Sequence, residues 1–222
     1  MDKQKKKSVL LIIIAGVLVI FFTTGSLIAL DGIFFSKKYP IKFDDWGNTP
    51  YAALRYGKYL GIYQGLYEDY KITFRSYSIK GVDKNDLIYT YQSSGFPWTH
   101  SSGHILIHKK SKINPIKDWS VSKIIISNIP VEKNNKDIYT NLGQINEYNI
   151  IDSLVNAING EYEKDISDYK IVDIVLLFVF KECPSLALMG SIIKNDDKIY
   201  LCIEDKYYDI DTILLQYLNK FV

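Results

Sequence analysis

The sequence predicts an α+β protein: an N-terminal transmembrane helix followed by an exported domain of mixed antiparallel sheet, built from two small modules. Three observations predict this class. A long uncharged apolar run lies near the N-terminus, at residues 8–30. Further along, short segments of alternating apolar and polar residues are separated by turns rich in Gly, Asn and Asp, as in antiparallel strands. A few segments instead place apolar residues three and four positions apart, as amphipathic helices do.

The uncharged run, SVLLIIIAGVLVIFFTTGSLIAL, is the clearest feature of the chain. As a helix it is roughly 34 Å long, which exceeds the hydrocarbon core of a bilayer, about 30 Å. Residues 1–7 carry four lysines against the single Asp2. This positive flank predicts that residues 1–7 are a cytoplasmic tail, that residues 8–30 cross the cell membrane once, and that the rest of the chain is extracytoplasmic.

A cleaved signal peptide is the alternative interpretation of the same residues. The lysines would form its basic region, residues 9–22 its apolar region, and Thr24-Gly25-Ser26 a small-residue cleavage site. The mature protein would then be secreted. Because the apolar run continues as far as Leu30, the uncleaved anchor is the preferred interpretation.

Charge and composition limit the partners. The net charge is +2, and about +3 of it comes from residues 1–7, so the exported part is close to neutral. Arg55 and Arg75 are the two arginines of the chain. Nucleic-acid binding requires a clustered positive face, which this composition does not supply. The expected partners are the lipid bilayer and another membrane or envelope protein; the abundance of Ile, Lys, Asn and Tyr is typical of a bacterial protein from an AT-rich genome.

The first module is predicted at residues 46–112, after a juxtamembrane spacer at residues 31–45. Thr49 and Pro50 form a helix-start signal, which predicts a helix from Pro50 to about Tyr59. Alternating apolar positions then predict strands in the ranges 71–80, 86–91 and 103–110.

The second module is predicted at residues 120–222, with the order β-α-β-β-β-α. Its strands are expected at 123–129, 169–180, 186–193 and 198–203, and the polar stretch 131–146 is expected to be a surface loop. The strand at 169–180 is apolar at nearly every position after Asp173, which predicts a central strand covered on both faces. Two amphipathic helices are expected, one after a cap at Asn149 and one at residues 212–221.

The two cysteines, Cys183 and Cys202, are predicted to be free thiols. If the strands 186–193 and 198–203 form a hairpin, Cys202 lies opposite Met189, and Cys183 is displaced along the sheet by about 17 Å. A disulfide requires Cα atoms within about 7 Å of each other.

The sequence predicts no catalytic, cofactor-binding or metal-binding residues. The three histidines, His100, His104 and His108, lie close together, but strand geometry separates His104 from His108 by about 13 Å, too far for one ion. His100 is adjacent to Ser101 and Ser102, yet adjacency in sequence is not the geometry of a nucleophile and its base. No phosphate-binding glycine pattern or calcium loop is present.

Phe96 and Trp98 are the candidate partner-contact residues. They lie in the polar loop QSSGFPWTHSSG between two predicted strands. Large aromatic side chains at loop tips often contact partners. The alternative is that Trp98 folds back and closes the core of the first module.

The expected function is therefore that of a single-pass membrane protein with a non-catalytic extracytoplasmic binding or interaction domain. An extracytoplasmic sensor or carrier that binds a small ligand between the two modules is the first alternative. A hydrolase of unfamiliar pattern, using His100, His104 or a loop serine, is the second.

Overall fold

The computed structural model describes residues 45–67, 70–92, 102–134, 136–195, 198–210 and 217. Several predictions lie outside these residues: the cytoplasmic tail at 1–7, the transmembrane helix at 8–30, nearly all of the spacer at 31–45, the contact residues Phe96 and Trp98, and almost all of the helix at 212–221. Within the described ranges, no helix is both long enough and apolar enough to cross a bilayer.

The described residues contain fourteen strands and two helices, joined by turns and loops. In chain order they are β1 (Trp46–Asn48), β2 (Tyr51–Ala53), β3 (Tyr56–Tyr67), β4 (Tyr70–Ile79), β5 (Leu87–Gln92), β6 (Ser102–His108), α1 (Pro115–Asp118), β7 (Val121–Asn128), β8 (Val131–Glu132), β9 (Asp137–Ile138), β10 (Asn141–Ile145), α2 (Tyr148–Ile158), β11 (Lys170–Phe180), β12 (Leu186–Asn195), β13 (Lys198–Ile203) and β14 (Lys206–Asp209). The α+β prediction is wrong, because this part of the chain is mostly antiparallel β-sheet.

The helix predicted from Pro50 to Tyr59 is the clearest error. The chain forms β2 and the start of β3 there. The Thr49 hydroxyl does not cap a helix; it donates a hydrogen bond to the carbonyl of Ile105 at 2.9 Å. Strand pairing with distant residues, Ala53 with Leu186 and Tyr56 with Ile79, outweighs the local helix-start signal.

One sheet has five strands in the order β1-β6-β5-β4-β3, and every pairing is antiparallel. The predicted strands at 71–80, 86–91 and 103–110 correspond to β4, β5 and β6 and are confirmed. Between β1 and β2 the chain crosses to a second sheet, where β2 pairs with β12.

The second sheet has seven strands, in the order β10-β7-β11-β12-β13-β14, with β2 also paired to β12. As predicted, β11 is central and buried on both faces, since it lies between β7 and β12 and is buried from Ile174 to Phe180. Alternate residues of β11 belong to two different apolar clusters: Ile174, Leu176 and Phe178 to the larger one, and Val175, Leu177 and Val179 to the smaller one. The two clusters therefore lie on opposite faces of this sheet.

The larger cluster joins the two sheets and α2. It contains Leu87, Tyr89 and Ile105 from the five-stranded sheet, together with Ile151 and Leu154 from α2. The predicted apolar stripe of this helix is confirmed as a packing face, although the helix begins at Tyr148, with Glu147 rather than Asn149 at the N-cap.

The expected surface loop at 131–146 is also wrong. These residues form the two-stranded sheet of β8 and β9, followed by β10, which pairs with β7 at the edge of the seven-stranded sheet. Ile145 is fully buried there. The polar composition of the segment does not predict these strands, because β10 is held by pairing with β7, outside the segment.

Both cysteines are free, as predicted. The hairpin register differs from the expected one, because Cys202 pairs with Ser191 rather than Met189. Cys183 is buried, and its thiol donates to the carbonyl of Lys80 at 3.8 Å.

Candidate functional site

The residues singled out from the sequence do not form a site in the described chain. Phe96, Trp98 and His100 lie outside the described residues. His104 is exposed, while the His108 ring packs edge-on against Trp46 with centroids 5.1 Å apart. Among the described residues, no group of three or more His, Cys, Asp or Glu side chains could hold a metal ion.

A cavity of about 400 Å³, which we call the junction cavity, is the candidate concave site among the described residues. Its walls are the segment that links β2 to β3, the end of β9 with the residues after it, and one face of β7 and β11. The lining combines apolar and polar side chains, among them Leu54, Arg55, Lys123, Asp137, Tyr139 and Leu177.

A smaller cavity of about 200 Å³ adjoins the junction cavity. The two share Ala53, Asp137 and Tyr139 as lining residues. The smaller cavity continues to Tyr89 and Ile105 of the five-stranded sheet. The segment 137–139 therefore lies between the two spaces, where the two large sheets meet.

A network of tyrosines holds this segment in place. The Tyr56 hydroxyl donates a hydrogen bond to the carbonyl of Asp137 at 2.9 Å. The backbone N–H of Asp137 in turn donates to the Tyr89 hydroxyl at 3.2 Å. The rings of Tyr56 and Tyr89 pack edge-on with centroids 4.7 Å apart. Both backbone polar groups of Asp137 are thus bonded to side chains of the five-stranded sheet.

Lys136 covers the outer side of the same aromatic group. Its ammonium nitrogen lies 5.3 Å from the ring centroid of Tyr56 and 4.9 Å from that of Tyr77. These distances are within the range of a cation–π contact. Lys136, which directly precedes the 137–139 segment, therefore adds a further contact with the five-stranded sheet beside the two hydrogen bonds.

Gly103 is required by close packing at this point. A β-carbon at position 103 would overlap the Tyr89 hydroxyl and the Asp137 carboxylate. Any residue larger than glycine at position 103 would push the Tyr89 hydroxyl and the Asp137 carboxylate away from their observed positions.

The phenols of the site remain protonated. Burial raises the pKa of Tyr56, Tyr89 and Tyr139 above the usual value of 10, and the nearby Asp137 carboxylate raises it further. Burial also raises the pKa of Tyr51, to about 12. At neutral pH these side chains are therefore hydrogen-bond donors and not bases or nucleophiles.

Two positively charged side chains among the described residues line the junction cavity. Arg55 is exposed and Lys123 is half-buried. Neither side chain forms an ion pair with another described residue. Asp137 is the carboxylate among the described lining residues, so their charged groups give a net charge of about +1.

Two further surface features lie elsewhere. An apolar groove of about 190 Å³ lies beside α2, where the helix packs on the seven-stranded sheet. Trp119, Ile151, Val155 and Phe180 are among its lining residues. An apolar corner is formed by four exposed side chains between residues 129 and 142: Ile129, Val131, Ile138 and Leu142. Val131 and Ile138 are directly opposite each other on β8 and β9.

The sequence could not have brought the site residues together. They come from segments near residues 54, 89, 123 and 137, and the last of these was expected to be a surface loop. One usable signal was the alternation Leu87, Tyr89, Tyr91, which places Tyr89 on the buried face of its strand. Comparison of the chain with protein-family models, curated proteins and solved structures found no match.

Proposed function

We propose that the protein is a membrane-anchored, non-catalytic binding protein of a bacterial envelope, and that its extracytoplasmic part binds a small ligand in the junction cavity. The observation that carries the proposal is the cavity itself, about 400 Å³, at the meeting of the two sheets. Small-molecule sites are typically concave, about 300–1,000 Å³, and largely apolar with a few polar groups. Leu54, Leu177, Arg55 and Lys123 provide such a lining.

The membrane anchor rests on the sequence. The uncharged residues 8–30 are long enough to cross a bilayer, and the four lysines that precede them favour a cytoplasmic N-terminus. Secretion after signal cleavage is the alternative, and it leaves the ligand-binding part of the proposal unchanged.

Binding without catalysis is favoured by the chemistry of the lining. The tyrosines around Asp137 keep their protons because burial raises their pKa values. A protonated phenol does not abstract a proton or attack a substrate near neutral pH.

The test is a thermal-unfolding screen of the full-length protein in phosphatidylcholine nanodiscs, against a collection of envelope metabolites of varied charge. A ligand at about one hundred times its Kd stabilises the native state by about 2.7 kcal/mol. For a domain of this size that corresponds to a rise in Tm of roughly 5–10 °C.

Two variants of one residue make the test specific for the cavity. Ser122 is exposed, lines the cavity and donates to the carbonyl of Val179 at 3.1 Å. Ser122→Trp is expected to fill the cavity and abolish the ligand-induced shift. Ser122→Ala removes the same hydrogen bond but leaves the cavity open, so it should retain the shift. A shift of equal size in wild type and Ser122→Trp would contradict ligand binding in the junction cavity.

A protein partner is the second candidate function, and the apolar corner favours it. Val131 and Ile138 are 66% and 43% exposed on adjacent strands, and an apolar partner surface placed there would remove both side chains from water. The partner would be another membrane or envelope protein.

In-cell crosslinking of the tagged full-length chain tests this second candidate. Val131→Lys with Ile138→Lys should remove a recurrent crosslinked partner, whereas Tyr148→Lys, at a side chain that is 76% exposed outside the corner, should not. Phe96→Ala with Trp98→Ala tests the sequence-predicted contact loop in the same assay. Partner capture unchanged in the double-lysine variant would exclude the corner.

A further inference from the structure

We infer that the ligand of the junction cavity is a small organic anion with an apolar body, whose anionic group binds between Arg55 and Lys123. This inference rests on the proposed function and adds the ligand class to it. The chemistry is that of a carboxylate or phosphate head on a compact aliphatic or aromatic body.

The positively charged side chains of the lining favour an anionic ligand. Arg55 lies on the β2–β3 link and Lys123 lies on β7, and both residues line the junction cavity. Neither has an ion pair with another described residue. A guanidinium can donate two parallel hydrogen bonds to a carboxylate or phosphate, and an ammonium adds a point charge. An anionic ligand group would therefore interact favourably with both side chains.

The position of Asp137 orients the ligand. Its carboxylate lies at the side of the cavity shared with the smaller space, close to Tyr89 and Gly103. Repulsion from this carboxylate disfavours an anionic head at that end. The head is therefore expected at Arg55 and Lys123 rather than at Asp137.

The remaining lining defines the body of the ligand. Leu54, Ile125, Leu177 and Val179 present apolar surface from β7, β11 and the β2–β3 link. Leu177 and Val179 belong to the smaller apolar cluster, and Leu54 and Ile125 pack against it. An apolar group placed there would extend that cluster and be removed from water.

The volume limits the size of the ligand. About 400 Å³ is at the lower end of the range for small-molecule sites. A compact metabolite fits this volume, whereas a phospholipid with two acyl chains would extend far outside it. A free anion is therefore the favoured source of the head group, and a lipid headgroup is tested separately below.

Three probes of the same shape and different charge test the inference: phenylacetate, 2-phenylacetamide and phenethylamine. Each is titrated calorimetrically into the full-length protein in phosphatidylcholine nanodiscs, with empty nanodiscs subtracted. We expect phenylacetate to bind at least tenfold more tightly than the neutral amide, and phenethylamine to bind most weakly.

Charge-removing variants assign the head group to its residues. Arg55→Gln and Lys123→Gln should each weaken phenylacetate binding by about tenfold, since each removes a charge-assisted contact, and should leave 2-phenylacetamide binding unchanged. Lys110→Gln is the matched control, because Lys110 is exposed and lies outside the cavity. It should leave the binding of all three probes unchanged.

The outcomes separate the inference from the proposed function. Equal binding of anion and amide, abolished by Ser122→Trp, would overturn the anion specificity and leave ligand binding in the cavity intact. A metabolite screen without any Ser122→Trp-sensitive hit would overturn both. Phosphatidylglycerol in the nanodiscs serves as a competing anionic headgroup. If it weakens phenylacetate binding to wild type but not to Arg55→Gln, the same anion site is supported and a lipid headgroup is identified as its ligand.

Discussion

The hydroxyl of Tyr56 donates a hydrogen bond to the backbone carbonyl of Asp137 at 2.9 Å, across 81 residues of sequence. Tyr56 begins β3 of the five-stranded sheet, and Asp137 begins β9 beside the seven-stranded sheet. This bond, together with the bond from Asp137 N–H to Tyr89, fixes the segment that separates the two cavities. The shape of the proposed binding site therefore depends on two tyrosines that are distant from Asp137 in sequence.

The first prediction concerns that bond. Tyr56→Phe should lower the free energy of unfolding by about 1 kcal/mol, the net contribution of a typical intramolecular hydrogen bond. Urea unfolding of the full-length protein measures it. Tyr148→Phe is the control, since Tyr148 is highly exposed and should show no change. Equal stability of Tyr56→Phe and wild type would show that the bond does not hold the segment.

The second prediction concerns Tyr89, which is almost fully buried. Tyr89→Phe leaves the N–H of Asp137 without its acceptor, and an unpaired buried donor costs about 1–3 kcal/mol. Because Tyr56 and Tyr89 bond the same residue, the double substitution should destabilise the protein by an amount that differs from the sum of the two single effects. A double-mutant cycle in urea measures the difference. Strict additivity would argue that the two bonds act independently.

The third prediction concerns Gly103. Gly103→Ala should destabilise the protein by about 1–3 kcal/mol, because the new methyl group overlaps the Tyr89 hydroxyl and the Asp137 carboxylate. Adding Tyr89→Phe removes one of the overlapping atoms and should restore part of the loss. Gly47→Ala is the matched control, since the nearest atom to its added methyl group would be Ile107 Cγ2 at 4.0 Å. Thermal unfolding of the four proteins tests the prediction. A loss in Gly47→Ala as large as that in Gly103→Ala would contradict it.

The fourth prediction concerns alkaline pH. The folded state holds the pKa of Tyr51 at about 12, chiefly because of burial, and raises that of Tyr89 for the same main reason. In the unfolded chain these phenols ionise near pH 10, so above that pH the unfolded state binds fewer protons than the native state. The resulting stability is complete below pH 10 and is lost as the pH rises; for Tyr51 the loss occurs between about pH 10 and 12.

Urea midpoints measured from pH 8 to 11 test this dependence. Wild type should lose stability above about pH 10, and Tyr89→Phe should show a shallower loss because one shifted phenol is absent. Tyr148→Phe, at an exposed position, should follow the wild-type profile. Identical slopes for Tyr89→Phe and wild type would contradict a contribution from the raised pKa of Tyr89.

Local sequence patterns predicted the elements that depend on local or repeated signals. The continuous apolar run of β11 predicted its central, doubly covered position. The three- and four-residue spacing of Ile151, Leu154 and Ile158 predicted the packing face of α2. Alternation also predicted β4, β5 and β6. These patterns report burial directly, so neighbouring residues contain enough information to interpret them.

The errors share a different cause. Strand β2 is held by pairing with β12, and β10 by pairing with β7, and neither partner can be identified from the short segment itself. Thr49-Pro50 is a real helix-start signal, but the long-range strand pairs outweigh it. The junction cavity is bounded in part by the regions next to these two strands, near residues 54 and 139, so the sequence alone does not predict which residues line it.

The most direct test of the account is the affinity of the strongest metabolite hit for wild type, Ser122→Trp and Ser122→Ala, measured by calorimetry on the full-length proteins in nanodiscs. Binding in the junction cavity predicts that Ser122→Trp loses the interaction while Ser122→Ala retains it at close to wild-type affinity. The same affinity for all three proteins would place the ligand elsewhere and contradict the central claim.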